Sequence, residues 1–318
     1  MANLGNIRTQ ARVDKLLVGV SQRQNVAGLI GDQVLTNVSV KQQTGLLGKY
    51  KNGHLRIEAD LVGGETPYPQ YISDVHESDR YVLEKHGLKS VITEEDFMNE
   101  EQPFDVRSDR TMDITDKLKL SKEFALATQL TNTAVLTNNV TLSGTDQLSD
   151  YANSDPIGRF KTARESVYEG VGMDLREPGA FAIVPWNVRE TLRFHTKLIE
   201  NIKYSIDASK GLSDAQLADV LGVNKMMVPF ARYNSAKEGQ TDTLIPVWGK
   251  HIVFAWSPPT GRKKMLTLGF QARKRNGIRV FRYAIKDPPN AEKVLVDHEY
   301  DLLITTVGAG YLIKDAIA

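Results

Sequence analysis

The chain has 318 residues, 41% hydrophobic and 25% charged, which is the composition of an ordinary globular protein with a sizeable core. Forty basic residues against 39 acidic ones give a net charge of +1, whereas a protein whose main task is to wrap nucleic acid would be more basic. The absence of cysteine excludes disulfides, thiolate metal sites and cysteine nucleophiles.

The N-terminal residues 1–40 are polar, rich in Gln and Asn, and only weakly periodic. They predict an arm that becomes ordered on another surface, with a flexible terminus as the alternative. They contain no apolar run typical of a signal peptide, and no stretch of the chain approaches the ~18 apolar residues that span a bilayer. Together with the lack of cysteine, this favours a protein made in a reducing cytoplasm, with no membrane partner.

Residues 41–86 predict an extended β-hairpin. Between positions 54 and 61 polar side chains alternate with apolar ones, which is the period of a strand. Asn52-Gly53 can form the preceding turn, and a second strand is expected from Arg80 to Lys85. Because strands with such polar faces are hard to bury in a compact domain, we expect the hairpin to project from the fold. An ordinary surface hairpin is the alternative.

One long helix is predicted over about 105–132. No Gly or Pro interrupts this stretch, and Asp105 or Asp113 can cap its start. At 1.5 Å per residue such a helix is nearly ~40 Å long, which is long for one domain. Its predicted apolar face, at spacings of three and four residues, consists of Leu120, Phe124, Ala127, Thr131 and Ala134, and Ile114 and Leu118 lead into it.

The second half of the chain mixes helices and strands in blocks, which indicates an α+β fold. A polar loop over 138–156 precedes a helix that Asp155-Pro156 opens. Further helices are predicted over 187–202 and 213–221. Strands are predicted over 181–184, 225–230, 247–255, 279–285, 294–296 and 300–307.

A search for catalytic or cofactor chemistry yields no candidate residue. The six histidines form no HxxxH or HxH pair, so no metal site is predicted. Val307 to Tyr311 superficially matches a dinucleotide loop, but too few residues follow for the helix that would hold a pyrophosphate. The paired acids Glu94-Glu95 and Glu100-Glu101 lie in a polar stretch and indicate surface. We therefore predict no enzyme, no cofactor and no metal.

Two groups of charged residues leave alternatives open. Asp146, Asp150 and Asp155 are spaced wrongly for an EF-hand loop, and such residues commonly form turns and caps, although ion binding with other oxygen ligands is an alternative. Two basic clusters indicate either a patch that faces nucleic acid or an acidic neighbour, or a solvated face. These clusters are Arg262, Lys263, Lys264 and Arg273, Lys274, Arg275.

The order of elements, with an arm, a projecting hairpin, a long helix and then a mixed domain, resembles the tailed-phage major capsid fold, known as the Hong Kong ninety-seven fold. YVLEKHGLKSVITEEDFMNEEQPFDV (81–106) is similar to the segment that joins the hairpin to the spine helix in one group of these proteins. TLSGTDQLSDYANSDPIGRF (141–160), VWGKHIVFAW (247–256) and GYLIKDAIA (310–318) resemble later segments of that group.

The resemblance implies an arm (1–40), a hairpin (41–86), a peripheral domain (87–150 and 265–305) and an axial domain (151–264 and 306–318). It implies pentamers and hexamers that tile an icosahedral head around double-stranded DNA, assembled in the host cytoplasm and located in the virion capsid. Portal and scaffolding proteins, a decoration protein and non-specific DNA contacts are the implied partners. The implied contacts with neighbouring subunits involve Asn52, Gly53, His54, Arg56, Glu58, Asp60, Tyr68 and Tyr71.

This sequence departs from many members of that family because it begins directly with the arm, so we expect scaffolding to be a separate protein or absent. An encapsulin-type nanocompartment shell has the same fold and is the main alternative, although encapsulins tend to begin with an amphipathic helix. An enzyme of unrecognised class would need convergent titratable groups. A DNA-binding protein using the basic stretch around 262–282 conflicts with the near-zero net charge.

Overall fold

The computed structural model describes residues 12–13, 17–18, 28–49, 77–99, 105–202, 211–258, 266–275, 277–285 and 291–318. Over these ranges the chain forms two β-sheets, two short ribbons and a set of helices, one of them much longer than the rest. The helices are α1 (Gly31–Val34), α2 (Glu94–Met98), α3 (Val106–Leu130), α4 (Pro156–Val171), α5 (Trp186–Arg193), α6 (Thr196–Asn201) and α7 (Asp214–Leu221).

The first sheet has six strands in the order β1-β13-β14-β12-β2, and β5 also pairs with β14. All neighbours are antiparallel except β2 and β12, so residues 36–40 are built into this sheet alongside a strand from the other end of the chain. The strands are β1 (Arg12–Val13), β2 (Thr36–Val40), β5 (Glu84–Thr93), β12 (Gly269–Lys274), β13 (Arg279–Ile285) and β14 (Ala291–Ile304).

The second sheet has the order β6-β15-β11-β7-β8. Every residue of β7 and β11 is buried, because helices and loops cover both faces of these apolar strands. This sheet forms the centre of the larger hydrophobic core, in which Phe160 of α4 packs against Phe254. The strands are β6 (Asn139–Thr141), β7 (Ala180–Ile183), β8 (Lys225–Met227), β11 (Ile252–Trp256) and β15 (Gly310–Lys314).

Two antiparallel ribbons complete the described structure. One pairs β3 (Thr44–Lys49) with β4 (Glu77–Val82), and the other pairs β9 (Arg232–Asn234) with β10 (Leu244–Pro246). The first ribbon is the base of the predicted hairpin, whose residues 50–76 lie outside the described residues.

Helix α3 joins the two cores. Asp105 caps it through a 3.1 Å hydrogen bond from the backbone N–H of Arg107. Near its start, Ile114 packs against the first sheet in a small core. Near its end, Leu126 and Leu130 enter the larger core around the second sheet. One rigid helix therefore spans both halves of the fold.

The predicted apolar face of α3 is wrong in part. Phe124 is 42% exposed, whereas Lys122 and Glu123, absent from the predicted face, are buried. Lys122 and Glu123 lie on the buried face of the helix because residues 28–35, the arm segment, pack against them. This segment supplies their polar partners, which are Asp32 for Lys122 and the backbone of Ile30 and Gly31 for Glu123. The helical period located the helix but did not identify which face is covered.

Several predicted element bounds also differ. The predicted helix over 187–202 is two helices, α5 and α6, separated at Phe194 and His195. The strands predicted at 294–296 and 300–307 are one strand, β14. The strand predicted from Arg80 to Lys85 is divided at Leu83 between β4 and the longer β5. Among the described residues, no helix combines the length and apolar character needed to cross a bilayer.

Candidate assembly interface

The hairpin residues predicted to contact a neighbouring subunit lie outside the described residues, so their role stays a prediction. They are Asn52, Gly53, His54, Arg56, Glu58, Asp60, Tyr68 and Tyr71.

The base of the hairpin is anchored on the first sheet by its inner face. Tyr81 and Leu83 are buried with Ala272 of β12 in a small cluster. Gly45 is opposite Tyr81, and a Cβ at this position would lie 2.6 Å from the tyrosine hydroxyl, so a side chain here would displace the ring. The backbone N–H of Val82 donates a 2.9 Å hydrogen bond to Asp301. These contacts fix the direction in which the hairpin leaves the sheet.

The outer face of the hairpin base is open to solvent. Leu46 is 67% exposed and Val82 is 42% exposed, and the exposed Arg80 is opposite Leu46 in the ribbon. An apolar and cationic surface of this kind at the root of a projecting ribbon is suited to contact with another protein surface.

Of the two basic clusters, the one at Arg262, Lys263 and Lys264 lies outside the described residues. The other lies where β12 ends. Arg273 and Arg275 are exposed, whereas Lys274 donates a 2.6 Å hydrogen bond to the buried Glu299. The structure therefore divides this cluster into two solvated guanidinium groups and one lysine held in an ion pair. Whether the exposed pair meets DNA or protein stays a prediction.

Lys274 belongs to an ion network of Lys85, Lys274, Arg279, Asp297 and Glu299 on one face of the first sheet. Arg279 binds the fully buried Asp297 with both Nε and Nη2, at 2.8 and 3.1 Å, and also contacts Glu299. Lys85 adds a contact of 2.9 Å to Asp297. Although burial alone would raise the pKa of Glu299, the hydrogen bond from Lys274 and the charge of Arg279 hold it below its ordinary value.

Glu123 fastens the N-terminal segment to α3. Its carboxylate accepts hydrogen bonds from the backbone N–H groups of Ile30 and Gly31, at 3.1 and 2.5 Å, and from the Trp248 indole N–H at 2.7 Å. Burial raises the pKa of this carboxyl, and the three donors act against that rise. One side chain thus joins the arm segment, the long helix and a loop beside the second sheet.

A cavity of about 120 Å³, lined by both apolar and charged side chains, lies beside this junction, between residues 28–35, α3 and the first sheet. Lys122 forms an ion pair with Asp32 there. His86 and His298 are directly opposite each other on β5 and β14. The ring of Tyr300 stacks on His86 at 4.4 Å and lies 5.1 Å from His298.

The ion network and the Glu123 junction were not predicted. A charged pair such as Lys122-Glu123 on a helix face that otherwise holds apolar residues is a signal in the sequence, but only the fold shows what faces it. For Asp297, the neighbours on β13 and β5 come from distant parts of the chain. No local pattern reports such pairs.

Of the three loop aspartates, Asp150 and Asp155 form a turn and a cap, whereas Asp146 forms an ion pair with Arg159 at 3.4 Å. Asp150 accepts hydrogen bonds from the backbone N–H groups of Ala152 and Asn153, both at 3.1 Å. Asp155 caps α4 through the N–H of Gly158 at 3.0 Å. In the part of the chain that the structure describes, no group of His, Asp and Glu side chains is placed to hold a metal ion.

Comparison with known proteins gives relatives over nearly the whole chain. The major capsid protein of Pseudomonas phage JBD67 is 25% identical over 313 residues, covering 96% of this chain and 97% of the relative. The major capsid protein of Burkholderia phage BcepMu is 25% identical over 262 residues, covering 80% of each chain. No family model matches the chain.

Solved structures share the fold. A phage-related protein of Bordetella bronchiseptica RB50 aligns with a TM-score of 0.74 and 20% identity, covering 96% of this chain and 98% of that chain. The capsid of cyanophage P-SCSP1u aligns with a TM-score of 0.57 and 10% identity, covering 88% of this chain and 86% of that chain.

The mixed helix and strand architecture is therefore similar to that of these phage structures, as the resemblance to the Hong Kong ninety-seven fold predicted. The relatives found by sequence say more about function than the shared fold does. The chain is similar to phage major capsid proteins over most of its length, and these relatives support the interpretation that it is a structural capsid shell protein. The names of the relatives imply a structural protein and not an enzyme.

Proposed function

We propose that this chain is the major capsid protein of a tailed phage, and that its copies form the pentamers and hexamers of an icosahedral head around double-stranded DNA. The observation that carries the proposal is the match to major capsid proteins from end to end, at 96% of this chain and 97% of the relative. A shared domain alone would support only a common fold.

The described surfaces support association with further copies. The hairpin base presents the exposed Leu46 and Val82 beside Arg80, although a two-stranded ribbon is marginal alone in water. Packing on a neighbour would cover these side chains and order the ribbon. Many modest contacts of this kind in each subunit add up to a stable closed shell.

We assign the remaining roles on the same basis. The arm at 1–40, the hairpin at 41–86, the peripheral domain at 87–150 and 265–305, and the axial domain at 151–264 and 306–318 are the proposed parts. Portal and scaffolding proteins are the proposed assembly partners. A decoration protein and packaged DNA are the proposed contacts of the finished shell. Assembly takes place in the host cytoplasm, and the product is the virion capsid.

Electron microscopy of the purified protein, alone and with its scaffolding protein, tests the proposal. Hollow icosahedral particles or capsomer-sized rings are expected. Monomers under every assembly condition would overturn it. Particles isolated from infected or induced cells are expected to contain packaged DNA, whereas an encapsulin-type compartment would enclose protein cargo and no genome.

A further inference from the structure

The two ends of the first sheet carry opposite charge. Strands β5 and β14 run side by side through ten residue pairs, from Glu84 opposite Tyr300 to Thr93 opposite Ala291. At about 3.3 Å per residue the two ends lie roughly 30 Å apart. That separation exceeds the screening length of about 8 Å at physiological ionic strength, so the ends do not neutralise each other within one chain.

The acidic end follows β5. Its described residues 94–99 and 105–113 contain six acidic and two basic side chains, a net charge of −4. The Arg107 guanidinium lies 4.5 Å over the Phe97 ring and 3.1 Å from Glu292, which ties α2, the start of α3 and β14 into one surface. Arg282 also contacts Glu292. The exposed carboxylates at this end are Glu94, Glu95, Asp105, Asp109 and Asp113, and they outnumber the exposed cations Arg110 and Arg282.

The basic end lies where β2 and β12 finish and the hairpin base begins. The backbone N–H of Arg275 donates to the carbonyl of Val40 at 3.2 Å, which brings these strand ends together. The buried carboxylates of the ion network already have cationic partners there. The exposed cations at this end are Lys41, Arg80, Arg273 and Arg275. They outnumber the exposed acid Glu84, so this end is positively charged.

Each charged end also presents exposed apolar side chains. Met98 is 76% exposed beside the acidic residues, and Leu46 is 67% exposed beside the cations. A single exposed ion pair contributes little to association. Several charges around apolar side chains that exclude water give both affinity and a choice of partner.

We infer that the acidic end of the first sheet in one copy contacts the basic end of the first sheet in the next copy. The partner is a second copy of this chain because each copy carries both complementary surfaces. The contact is head-to-tail, so it leaves one end free on each partner and propagates around a ring or across a shell. The inference rests on the proposed function, since it names the surfaces that join shell subunits.

A charge swap tests the inference. Glu94→Lys with Glu95→Lys reverses two charges of the acidic end, and Arg80→Glu with Arg275→Glu reverses two charges of the basic end. Each pair is expected to lower the yield of particles at least about tenfold, because like charges then face each other at the substituted positions. All four substitutions together restore the net charge and the complementarity, and are expected to recover about half or more of the wild-type yield. Glu165→Lys with Glu169→Lys on α4 is the matched control for net charge.

The substituted residues are exposed, and thermal unfolding of the free subunits identifies any variant that fails to fold. If a reversed variant is unfolded, the Gln variants at the same positions replace it. Wild-type yields from both reversed pairs would overturn the inference, and so would a fourfold variant as poor as either pair. Failure of the wild-type chain to assemble at all would instead contradict the proposed function.

Discussion

Glu123 is a buried acid on the long helix that holds three N–H donors from two other parts of the chain. In most helices a charged residue at a buried position would be destabilising. Here the donors are the backbone N–H groups of Ile30 and Gly31 and the indole N–H of Trp248, and all three lose their acceptor if the carboxylate is removed. The side chain therefore acts as a connector between the arm segment and the helix.

Glu123→Leu is expected to lower the free energy of unfolding of the unassembled subunit by about 3 kcal/mol or more, because each buried donor left without an acceptor costs about 1–3 kcal/mol. Urea denaturation measures the difference. Glu165→Leu at an exposed position of α4 is the control and is expected to stay within about 0.5 kcal/mol of wild type. A Glu123→Leu variant as stable as that control would contradict the connector role.

His298 lies beside two positive charges in a buried setting. Burial lowers its pKa, and the nearby Lys122 and Arg273 lower it further, to about 4. An unfolded histidine titrates near ~6.5, so the unfolded chain binds the proton first as the pH falls. Above pH ~6.5 the residue therefore leaves the free energy of unfolding unchanged. As the pH falls from ~6.5 to about 4, it lowers that free energy progressively.

His298→Asn is expected to remove that loss. At about 1.4 kcal/mol per pH unit, the histidine costs the wild-type subunit roughly 3 kcal/mol by pH 4 relative to pH 7. Urea denaturation of both proteins between pH 7 and pH 4 gives the difference curve. A difference that stays constant across this range would show that His298 does not titrate in the way its surroundings require.

At the scale of elements, the local sequence pattern determines where the long helix and the hairpin strands form, and tertiary contacts determine which of their faces are buried. The uninterrupted sequence of α3 and its Asp105 cap predicted the helix well. Its buried face could not be predicted, because that face depends on the arm segment laid against it. In the ribbon, the sequence pattern near Arg80 predicted a strand, but at Leu83 the pairing partner changes from β3 to β14, and β14 is distant in sequence.

Removal of residues 50–75 tests whether the hairpin serves assembly and not folding. Lys49 and Glu77 are register partners, so an inserted Asn-Gly followed by the retained His76 forms a three-residue loop that can close the ribbon at this point. We expect thermal unfolding of the subunit to change little and electron microscopy to show no closed particles. The intact chain, purified in parallel, is the reference. Normal particles from the shortened chain would refute an assembly role for the hairpin.

At the scale of the whole molecule, the fold brings together segments that are far apart in sequence. Strand β2 near the N-terminus pairs with β12, and β6 pairs with β15 near the C-terminus. Helix α3 then connects the core of the first sheet with the core of the second. This arrangement places the acidic and basic ends of the first sheet on opposite sides of one unit, which is the geometry that a repeating head-to-tail contact requires.

The sequence by itself determined the local elements, the α+β class and the absence of any recognisable catalytic motif, because these depend on periodicity, caps and residue types within short windows. Its resemblance to phage capsid segments also predicted the class of relatives found by comparison. Only the tertiary structure decided which charges are buried, which neighbours pair with them and which surfaces remain open. Burial and pairing of Glu123 and Asp297 depend on strands and loops distant in sequence, so no local pattern contains that information.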